Sequence, residues 1–532
     1  MWSRLERQGM EASLFTFIWK HSKHQQLVLL ALTLLTFPFI FLSLELPKRI
    51  INDVIGASGS DGEFWRGGMD QAEYLVALCF AFLATVLIAG LLKMGLNIRK
   101  GILSERMLRR LRYTLISRMM RFPAPYFRSS SQGEMVAMIS SESEPMGGLM
   151  GDAVAQPVFL AGQMLTIVAF LFIQSFWFGV VSVALIPLQA WLIPMLQRRI
   201  NRLNKDRIRE LRRLSSEIGE TAGGLSDLRA NGGMRFRPVL MALRLGKLFG
   251  IRKRIYITKF FMKFLNNLIT QLTPFVYYLA GGLLVIRGDL SVGALVAALA
   301  AYKDLSSPWR ELLTYYNLVQ DMSARWKIMA GRFDPPGMIP EALAEGTPAE
   351  LPRLSGDIRL EGVTVLDGDG QPVLEDLTLT VPEGARVAVQ CASAAERSAL
   401  AGLLTREVLP SAGQVLVAGE PLDQMHQAVI AARIGHAHSR PCLFDGSLGD
   451  NAMMPLQAAP LAAPPDPRAR HEALRSGNST DSIEVGWGSG EDVRAPREMW
   501  LELAGAMGLG GRLYRRAQHG CFDPQEHPEL AR

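Results

Sequence analysis

The amino-acid sequence predicts an all-α bundle of six membrane-spanning helices, followed by an incomplete α/β domain. Two observations lead to this prediction. Apolar residues make up 49% of the 532-residue chain and gather in long blocks before about residue 330. Beyond that point the chain shows the alternation of apolar and polar residues that is typical of β-strands. We therefore expect a membrane part followed by a soluble part.

The apolar blocks are long enough for six membrane-spanning helices. A helix needs about 20 mostly apolar residues to cross the hydrocarbon core of a bilayer. One block has about twice that length and breaks near Gln174, so it predicts a hairpin of two spans. The six predicted spans are residues 26–47, 74–97, the two halves of 155–196, 260–286 and 291–316.

Basic residues mark one side of these spans. Lys23 precedes the first span and Arg99 follows the second, while Arg198 follows the fourth and Lys259 precedes the fifth. Cytoplasmic loops carry an excess of lysine and arginine, so we expect both termini in the cytoplasm. The same flanks explain the formal net charge of +7. The expected partner is therefore a lipid bilayer, and no nucleic-acid partner is expected.

The predicted cytoplasmic connections are too long for simple loops. Leu103, Met107 and Leu111 recur every four residues, which predicts helices that continue from the membrane into the cytoplasm. Each connection also contains a break with proline or glycine, where we expect a short crosswise helix. The connections are residues 98–153 and 197–259, and their breaks are residues 122–134 and 220–227.

Three motifs in this arrangement resemble those of exporters of the ATP-binding cassette (ABC) superfamily. They are Tyr126-Phe127 followed by Ser131-Gln-Gly-Glu134, then Glu220-Thr-Ala-Gly-Gly224, and the segment 286–296 that opens the last span. The resemblance covers roughly residues 20–450. It implies that two such bundles associate, that the crosswise breaks transmit ATP-driven movement, and that the protein lies in the bacterial inner membrane. It also implies ATP and Mg²⁺ as cofactors, and a second half-transporter, identical or different, as partner.

The sequence divides into five predicted segments. These are a cytoplasmic N-terminal segment (1–19), a transmembrane domain with cytoplasmic helical extensions (20–330), a Pro/Ala/Glu-rich linker (331–356), a degenerate nucleotide-binding-like domain (357–454), and an Ala/Pro-rich insertion with a short helical tail (455–532). Strands are predicted at 358–365, 370–384 and 386–390. Residues 455–470 are expected to be disordered, 475–481 to form a polar turn and 497–516 to be helical.

The segment that aligns with a phosphate loop departs from its pattern. The loop has the form G-x-x-x-x-G-K-[ST], because backbone N–H groups must approach the phosphates closely. The aligned segment begins at Cys391, and Cys391, Ala394 and Glu396 stand where the family has glycine. Arg397 keeps the charge of the family lysine and Ser398 matches the residue that contacts Mg²⁺, so these two are the candidate nucleotide-binding residues. Because Glu396 adds a carboxylate near the phosphates, we expect poor ATP binding.

Other parts of the family pattern are missing from the sequence. Ser439 stands where the family has the glutamine that contacts Mg²⁺, and no aromatic residue lies near Asp367 to stack on adenine. Neither an L-S-G-G-Q-like segment nor a strand ending in Asp-Glu follows, so no catalytic residue is predicted. His436 and His438 have no third ligand nearby and the four cysteines form no pair motif, so no metal site is predicted.

Polar residues occur inside several predicted spans. Gln163 lies in the third span, Gln189 in the fourth, and Asn267 and Gln271 in the fifth. Polar residues inside a bilayer usually face a partner helix or a cavity. These four are the candidate residues of a substrate pathway, and hydrogen-bonded helix packing is an equally good interpretation.

These observations favour a subunit of an ABC-type exporter that supplies the translocation pathway. Its own cassette is expected to hydrolyse ATP poorly and to need a competent partner. Two alternatives stay open, a non-transporting membrane scaffold or regulator, and a truncated remnant of a larger transporter. Self-sufficient export is disfavoured by the altered phosphate loop.

Overall fold

The computed structural model describes most of the chain. The described residues are 9–55, 71–129, 132–174, 176, 179–180, 184, 186–287, 291–346, 348, 351–368, 370–437, 441–454, 459–460, 466–481, 487–488 and 496–519. They belong to two compact units. The extension unit comprises Met1–His21, Ser104–Met150 and Met322–Arg532, and the span unit comprises Ser22–Leu103 and Gly151–Asp321.

Helices dominate the described chain. Up to the linker they are α1 (Leu14–Arg49), α2 (Gln71–Met120), α3 (Ala124–Ser129), α4 (Gln132–Ala137), α5 (Glu144–Asp152), α6 (Ala155–Gln174), α7 (Ile186–Gly223), α8 (Leu225–Ala230), α9 (Phe236–Val276), α10 (Gly282–Arg287) and α11 (Val292–Arg332). Helical turns of the π type follow α1 and α4 and join α9 to α10.

The part of the chain after α11 combines short helices with strands. The helices are α12 (Glu341–Ala344), α13 (Ala394–Leu404), α14 (Gln427–Arg433), α15 (Leu448–Met453), α16 (Pro467–Ser476), α17 (Pro496–Ala506) and α18 (Gly510–His519). The strands are β1 (Ile358–Leu366), β2 (Pro372–Val381), β3 (Ala412–Val417), β4 (Glu420–Pro421), β5 (Ala459–Pro460) and β6 (Trp487–Gly488).

Four helical stretches of the described chain are long and apolar enough to cross a membrane. They are α1, α2, most of α6, and the continuous run from α9 to α10. The predicted sixth span forms α11, but Lys303, Asp304, Arg310 and Glu311 shorten its apolar part. The predicted fourth span falls partly outside the described residues. A count of six spans therefore stays a prediction.

The predicted helical extensions are confirmed. Helix α2 has 50 residues, which corresponds to about 75 Å at 1.5 Å per residue. This is more than twice the thickness of the hydrocarbon core, about 30 Å. The predicted breaks are also confirmed as short helices, α3 and α4 in the first connection and α8 in the second.

The core of the span unit joins α6 to α11. Phe170 and Leu171 of α6 and Ala298 and Ala301 of α11 are fully buried. Small alanine side chains let the α11 backbone approach the aromatic and leucine side chains of its neighbours, as is common between membrane helices. Tyr277, in the π-type turn, completes the cluster and its ring meets Tyr302 edge-on with centroids 5.8 Å apart.

A four-stranded antiparallel sheet lies in the extension unit, with strand order β2-β1-β3-β4. Leu360, Val363 and Val365 of β1 are buried in a core that also contains Leu403 of α13 and Ile430 of α14. The strands predicted at 358–365 and 370–384 are thereby confirmed as β1 and β2. Helix α13 packs against this sheet and places the aligned phosphate-loop segment at its start.

The strand predicted at 386–390 is wrong. The segment forms no strand in the structure, and Val387 and Val389 are 53% and 54% exposed. Its alternation of apolar residues is that of a half-buried strand. A strand also needs a neighbour to pair with its backbone N–H and C=O groups, and none of the described strands pairs with this one.

The disorder predicted for 455–470 and the turn predicted for 475–481 are wrong where they overlap α16. Asp466 caps this helix by accepting a hydrogen bond from Arg468 N–H, Pro467 occupies its first turn, and Gly477 ends it in the left-handed conformation. These are ordinary helix start and stop signals. The helix predicted at 497–516 forms two helices, α17 and α18, separated at Gly508, which has φ +73°.

Candidate nucleotide and transport sites

At the start of α13, the side chains of Ser393 and Glu396 accept hydrogen bonds from nearby backbone N–H groups. The Ser393 hydroxyl accepts a hydrogen bond from Glu396 N–H at 3.1 Å. The Glu396 carboxylate in turn accepts from Ala392 N–H at 3.0 Å and from the Ser393 hydroxyl at 3.1 Å. Ser393 is therefore the N-cap residue of α13, and the Glu396 carboxylate folds back on the turn that precedes the helix.

The Glu396 carboxylate is bound by groups of the segment that aligns with the phosphate loop. The free N–H groups at a helix N-terminus form a natural anion site. In this chain the anion is the Glu396 carboxylate, bound to a backbone N–H of the aligned segment. A nucleotide phosphate approaching the same turn would meet a like charge at close range. The Ser393 cap stabilises the start of the helix, and weak phosphate binding at this segment stays a prediction.

The two candidate nucleotide-binding residues lie on the turn that follows. Arg397 and Ser398 are both exposed on α13. Arg397 N–H donates to the Ser393 carbonyl at 3.3 Å, as in any helix start, and its guanidinium makes no ion pair with the described residues. Both side chains are thus accessible but stand next to the Glu396 carboxylate. Ser439 and His438 lie outside the described residues.

The candidate pathway residues fall on separate helices of the span unit. Asn267 and Gln271 are one turn apart on α9 and are both exposed, whereas Gln163 is half-buried on α6. None of these three side chains makes a hydrogen bond to another described residue. The side chain of Gln189, on α7, lies outside the described part of the chain. The structure thus brings Asn267 and Gln271 together on one helix, and a common pathway stays a prediction.

A first set of contacts, which sequence reasoning missed, ties the linker to the C-terminal end of α2. Arg118 donates to the Phe333 carbonyl at 2.8 Å and to the Asp334 carboxylate at 2.5 Å. Arg121 donates to the Ile339 carbonyl at 2.8 Å. Both arginines are nearly buried. The sequence showed them only as two of many basic residues in a cytoplasmic helix, because their partners lie more than 200 positions away.

The first predicted break, at α3, contacts the domain that contains β1–β4, α13 and α14, which we call the sheet domain. Ala124 N–H, at the start of α3, donates to the Glu407 carbonyl at 3.2 Å. Next to it, the Phe122 ring packs on Phe333 with centroids 5.7 Å apart. The break thus contacts the sheet domain directly. That it transmits movement, as the family resemblance implies, stays a prediction.

The insertion helix α16 also binds α2. The Arg106 guanidinium donates two hydrogen bonds to the Glu472 carboxylate, at 2.6 and 2.8 Å. These bonds hold the pKa of Glu472 below its ordinary value, so the ion pair is present at neutral pH and is lost as the pH falls through that lowered pKa. Gly477 lies so close to Arg110 that a Cβ atom would come within 2.4 Å of its guanidinium.

Long apolar helices, together with a domain that contains a four-stranded sheet, define a multi-pass membrane protein with a further domain after its last long helix. Comparison with known families identifies it further. The ABC transporter transmembrane region matches residues 27–307, more than half of the chain. The chain therefore belongs to the ABC transporter family and carries its transmembrane region.

Individual relatives agree with this family. The fatty acid ABC transporter ATP-binding/permease protein of Mycobacterium bovis is 24% identical over 349 residues, 64% of this chain and 53% of that protein. The ATP-dependent lipid A-core flippase of Burkholderia orbicola is 21% identical over 431 residues, 80% of this chain and 69% of that protein. An ABC transporter ATP-binding protein of Bacillus subtilis is 22% identical over 347 residues, 64% of this chain and 56% of that protein. The chain spans about half the length of the mycobacterial and Bacillus relatives.

Proposed function

We propose that this chain supplies the membrane translocation pathway of an ATP-driven exporter and depends on a second, ATP-competent half-transporter. The observation that carries this proposal is the Glu396 carboxylate, which accepts hydrogen bonds from Ala392 N–H and from the Ser393 hydroxyl directly before α13. The transmembrane region belongs to a family that is driven by ATP. The segment that aligns with the phosphate loop, however, holds the Glu396 carboxylate and should repel a phosphate. We place the protein in a bacterial inner membrane, with six spans and both termini in the cytoplasm.

The substrate class follows from the relatives by analogy. Two of them are named for a fatty acid and for lipid A-core, which are both amphiphiles with acyl chains. An apolar bundle with a few amides is suited to such molecules, since the amides orient a polar group while the helices contact the chain. In this proposal Gln163, Gln189, Asn267 and Gln271 line the path.

The need for a second half-transporter is supported by the cytoplasmic part of α9. Phe236, Val239, Leu243 and Phe249 are each at least 60% exposed, and they precede the predicted fifth span, which begins at residue 260. Outside the bilayer, large exposed apolar side chains in one segment mark an interaction surface. A second bundle that covers them would remove them from water, with a gain of about 25 cal/mol for each Å².

ATP binding tests the role of the loop. We expect the purified chain in nanodiscs to bind a fluorescent ATP analogue weakly and to hydrolyse ATP no faster than background. Glu396→Gln removes the negative charge and should strengthen binding of the ATP analogue roughly tenfold. This factor corresponds to the loss of one charge repulsion of about 1.4 kcal/mol. Adding Cys391→Gly, Ala394→Gly and Arg397→Lys to Glu396→Gly should strengthen it further.

The matched control for this experiment is Asp450→Asn. Asp450 forms a capping box with Ser447 at the start of α15. Its substitution therefore alters the cap of another helix and leaves the aligned loop unchanged. It should leave nucleotide binding unchanged. Tight ATP binding or robust hydrolysis by the unmodified chain alone would overturn the proposal.

Co-purification tests the partner. A tagged chain expressed in its native host should recover a second ABC half-transporter in about equal amount. Leu243→Asp places a charge on the exposed surface of α9 and should reduce that recovery about tenfold or more, because burying an unpaired charge at an interface is strongly unfavourable. Ala242→Asp, at an exposed neighbouring position, is the control. If both the unmodified chain and the Ala242→Asp control were strictly monomeric, a two-bundle exporter would be contradicted.

A further inference from the structure

A basic cavity lies between α7 and α9 in the span unit. It encloses about 320 Å³. Three cations, Arg207, Arg252 and Lys259, line it together with hydrogen-bonding and apolar side chains, and none of the lining residues that the structure describes is acidic. The other lining residues are Gln197, Ile200, Asn204, Ile255, Tyr256 and Met262.

The carboxylates of these helices are engaged elsewhere. Glu217 accepts from Arg244 at 2.8 Å and Glu210 accepts from the same guanidinium at 3.2 Å. Arg252 donates to the Tyr256 hydroxyl at 3.2 Å and lies over its ring, 5.5 Å from the centroid. Within the described residues none of the three cavity cations forms an ion pair. The cavity thus concentrates positive charge that the protein itself does not neutralise.

A second cavity shows that this feature is not a general property of the basic extensions. The larger cavity beside α2, about 500 Å³, is also lined by arginines. There, however, Arg106 pairs with Glu472 and Arg112 pairs with Glu144. Arg106 and Arg112 are therefore compensated within the protein, whereas the cations between α7 and α9 have no acidic partner among the described residues.

The position of the cavity along the chain indicates where an anion would come from. Gln197 follows the predicted fourth span directly, and Lys259 directly precedes the predicted fifth span. One end of the cavity lining, at Gln197 and Lys259, is therefore at the predicted cytoplasmic boundary of the bilayer. Ile255, which is 8% exposed, and Met262 add an apolar wall. Basic cavities between helices on the cytoplasmic side are suited to anionic lipid headgroups.

We propose that the cavity between α7 and α9 binds the phosphate group of an anionic phospholipid from the cytoplasmic leaflet. Arg207, Arg252 and Lys259 surround the phosphate, Asn204 and Tyr256 offer neutral hydrogen-bonding groups, and Met262 faces the start of the acyl chains. A soluble phosphate ester offers the same anionic group, but it has no acyl chain for the apolar wall. This lipid is held between two helices of one chain and is separate from the proposed substrate path.

Native mass spectrometry and lipid titration of the full chain test this site. The probes are phosphatidylglycerol, phosphatidylcholine and the soluble compound glycerol 3-phosphate. We expect the unmodified chain to retain one phosphatidylglycerol, to prefer it over phosphatidylcholine by about tenfold or more, and to bind glycerol 3-phosphate far more weakly. Equal retention of the two lipids, or stronger binding of glycerol 3-phosphate, would overturn the proposal without any variant.

Two triple variants separate the cavity from general surface charge. Arg207→Gln, Arg252→Gln and Lys259→Gln remove the cavity cations, and binding should fall about a hundredfold, as expected for three basic groups near an anionic lipid. The matched control changes three exposed basic residues of the same helices outside the cavity. These are Arg202→Gln, Lys253→Gln and Arg254→Gln. An equal loss in both triple variants would show that only surface charge attracts the lipid, and the site would be rejected.

Discussion

Gly413→Ala should destabilise the sheet domain by several kcal/mol, whereas Gly419→Ala should have a much smaller effect. A Cβ atom at Gly413 would lie 2.3 Å from the Gly362 carbonyl oxygen and 2.4 Å from that of Glu361. Both contacts are with backbone, so the strands themselves would have to move apart. The sheet is irregular at this point, because the register of β1 against β3 shifts between Glu361 and Thr364, as in a β-bulge.

The control isolates this clash from the cost of backbone conformation. Gly413 and Gly419 have nearly the same left-handed φ, +79° and +82°, but nothing lies within 4 Å of a Cβ atom at Gly419. Alanine in this conformation costs about 1–2 kcal/mol at either position. The overlap at Gly413 adds roughly 1–3 kcal/mol.

Thermal unfolding and trypsin digestion of the full chain measure the difference. Gly413→Ala should expose the sheet domain to trypsin at temperatures where Gly419→Ala is still protected. If the two variants unfold at the same temperature, the close approach of β1 and β3 is not as the structure has it. Because Ala124 of α3 contacts the same domain at Glu407, loss of the sheet should also weaken any ATP-dependent transport with a partner.

The long helices could be predicted because their signal is local. Apolar blocks in α1, α2 and α9 are each long enough to cross a membrane, and the four-residue spacing of Leu103, Met107 and Leu111 predicted the extension of α2. Helix α16 carried equally local signals in Asp466, Pro467 and Gly477, but the Ala/Pro-rich composition around it favoured disorder. Local cap residues were here a better guide than composition.

The candidate nucleotide site shows both the strength and the limit of sequence reasoning. The sequence predicts that Glu396 opposes phosphate binding, and this stays a prediction, but the contacts of its carboxylate with Ala392 N–H and the Ser393 hydroxyl were not predicted. The pattern S-x-x-E, which is typical of a helix start, is present at Ser393 and Glu396. Alignment with the phosphate loop drew attention to missing glycines instead of to the interaction that replaced them.

Pairings between distant segments could not be predicted at all. Arg106 and Glu472 are separated by 366 positions, and nothing in either local sequence identifies the other. The strand predicted at 386–390 failed for the same reason, since strand formation depends on a partner elsewhere in the chain. The cavity between α7 and α9 likewise depends on the packing of two helices, which places Arg207 beside Arg252 and Lys259.

Trp326→Ala should produce the second large effect, by releasing the N-terminal segment from α11. Trp326 is completely buried in the extension unit. Its ring packs on Phe17 of α1 with centroids 5.2 Å apart, and its indole N–H donates to the Glu11 carbonyl at 2.9 Å. Truncating a buried tryptophan to alanine costs about 3–5 kcal/mol.

The consequence reaches beyond stability, because α11 leads directly into the linker that Arg118 holds on α2. Trp326→Ala should lower the thermal midpoint by roughly 5–10 °C, which circular dichroism would show. It should also speed tryptic cleavage at Lys20, which is exposed but lies within the intact helix α1, and mass spectrometry of the digest would show this. Trp326→Phe, which keeps an aromatic ring but loses the donor to Glu11, should have an intermediate effect. Trp19→Ala, at a position of α1 that is 47% exposed, should change little. If Trp19→Ala proved as damaging as Trp326→Ala, contacts other than those of Trp326 with Phe17 and Glu11 would hold the N-terminal segment. Helix α11 could then move without disturbing the start of α1.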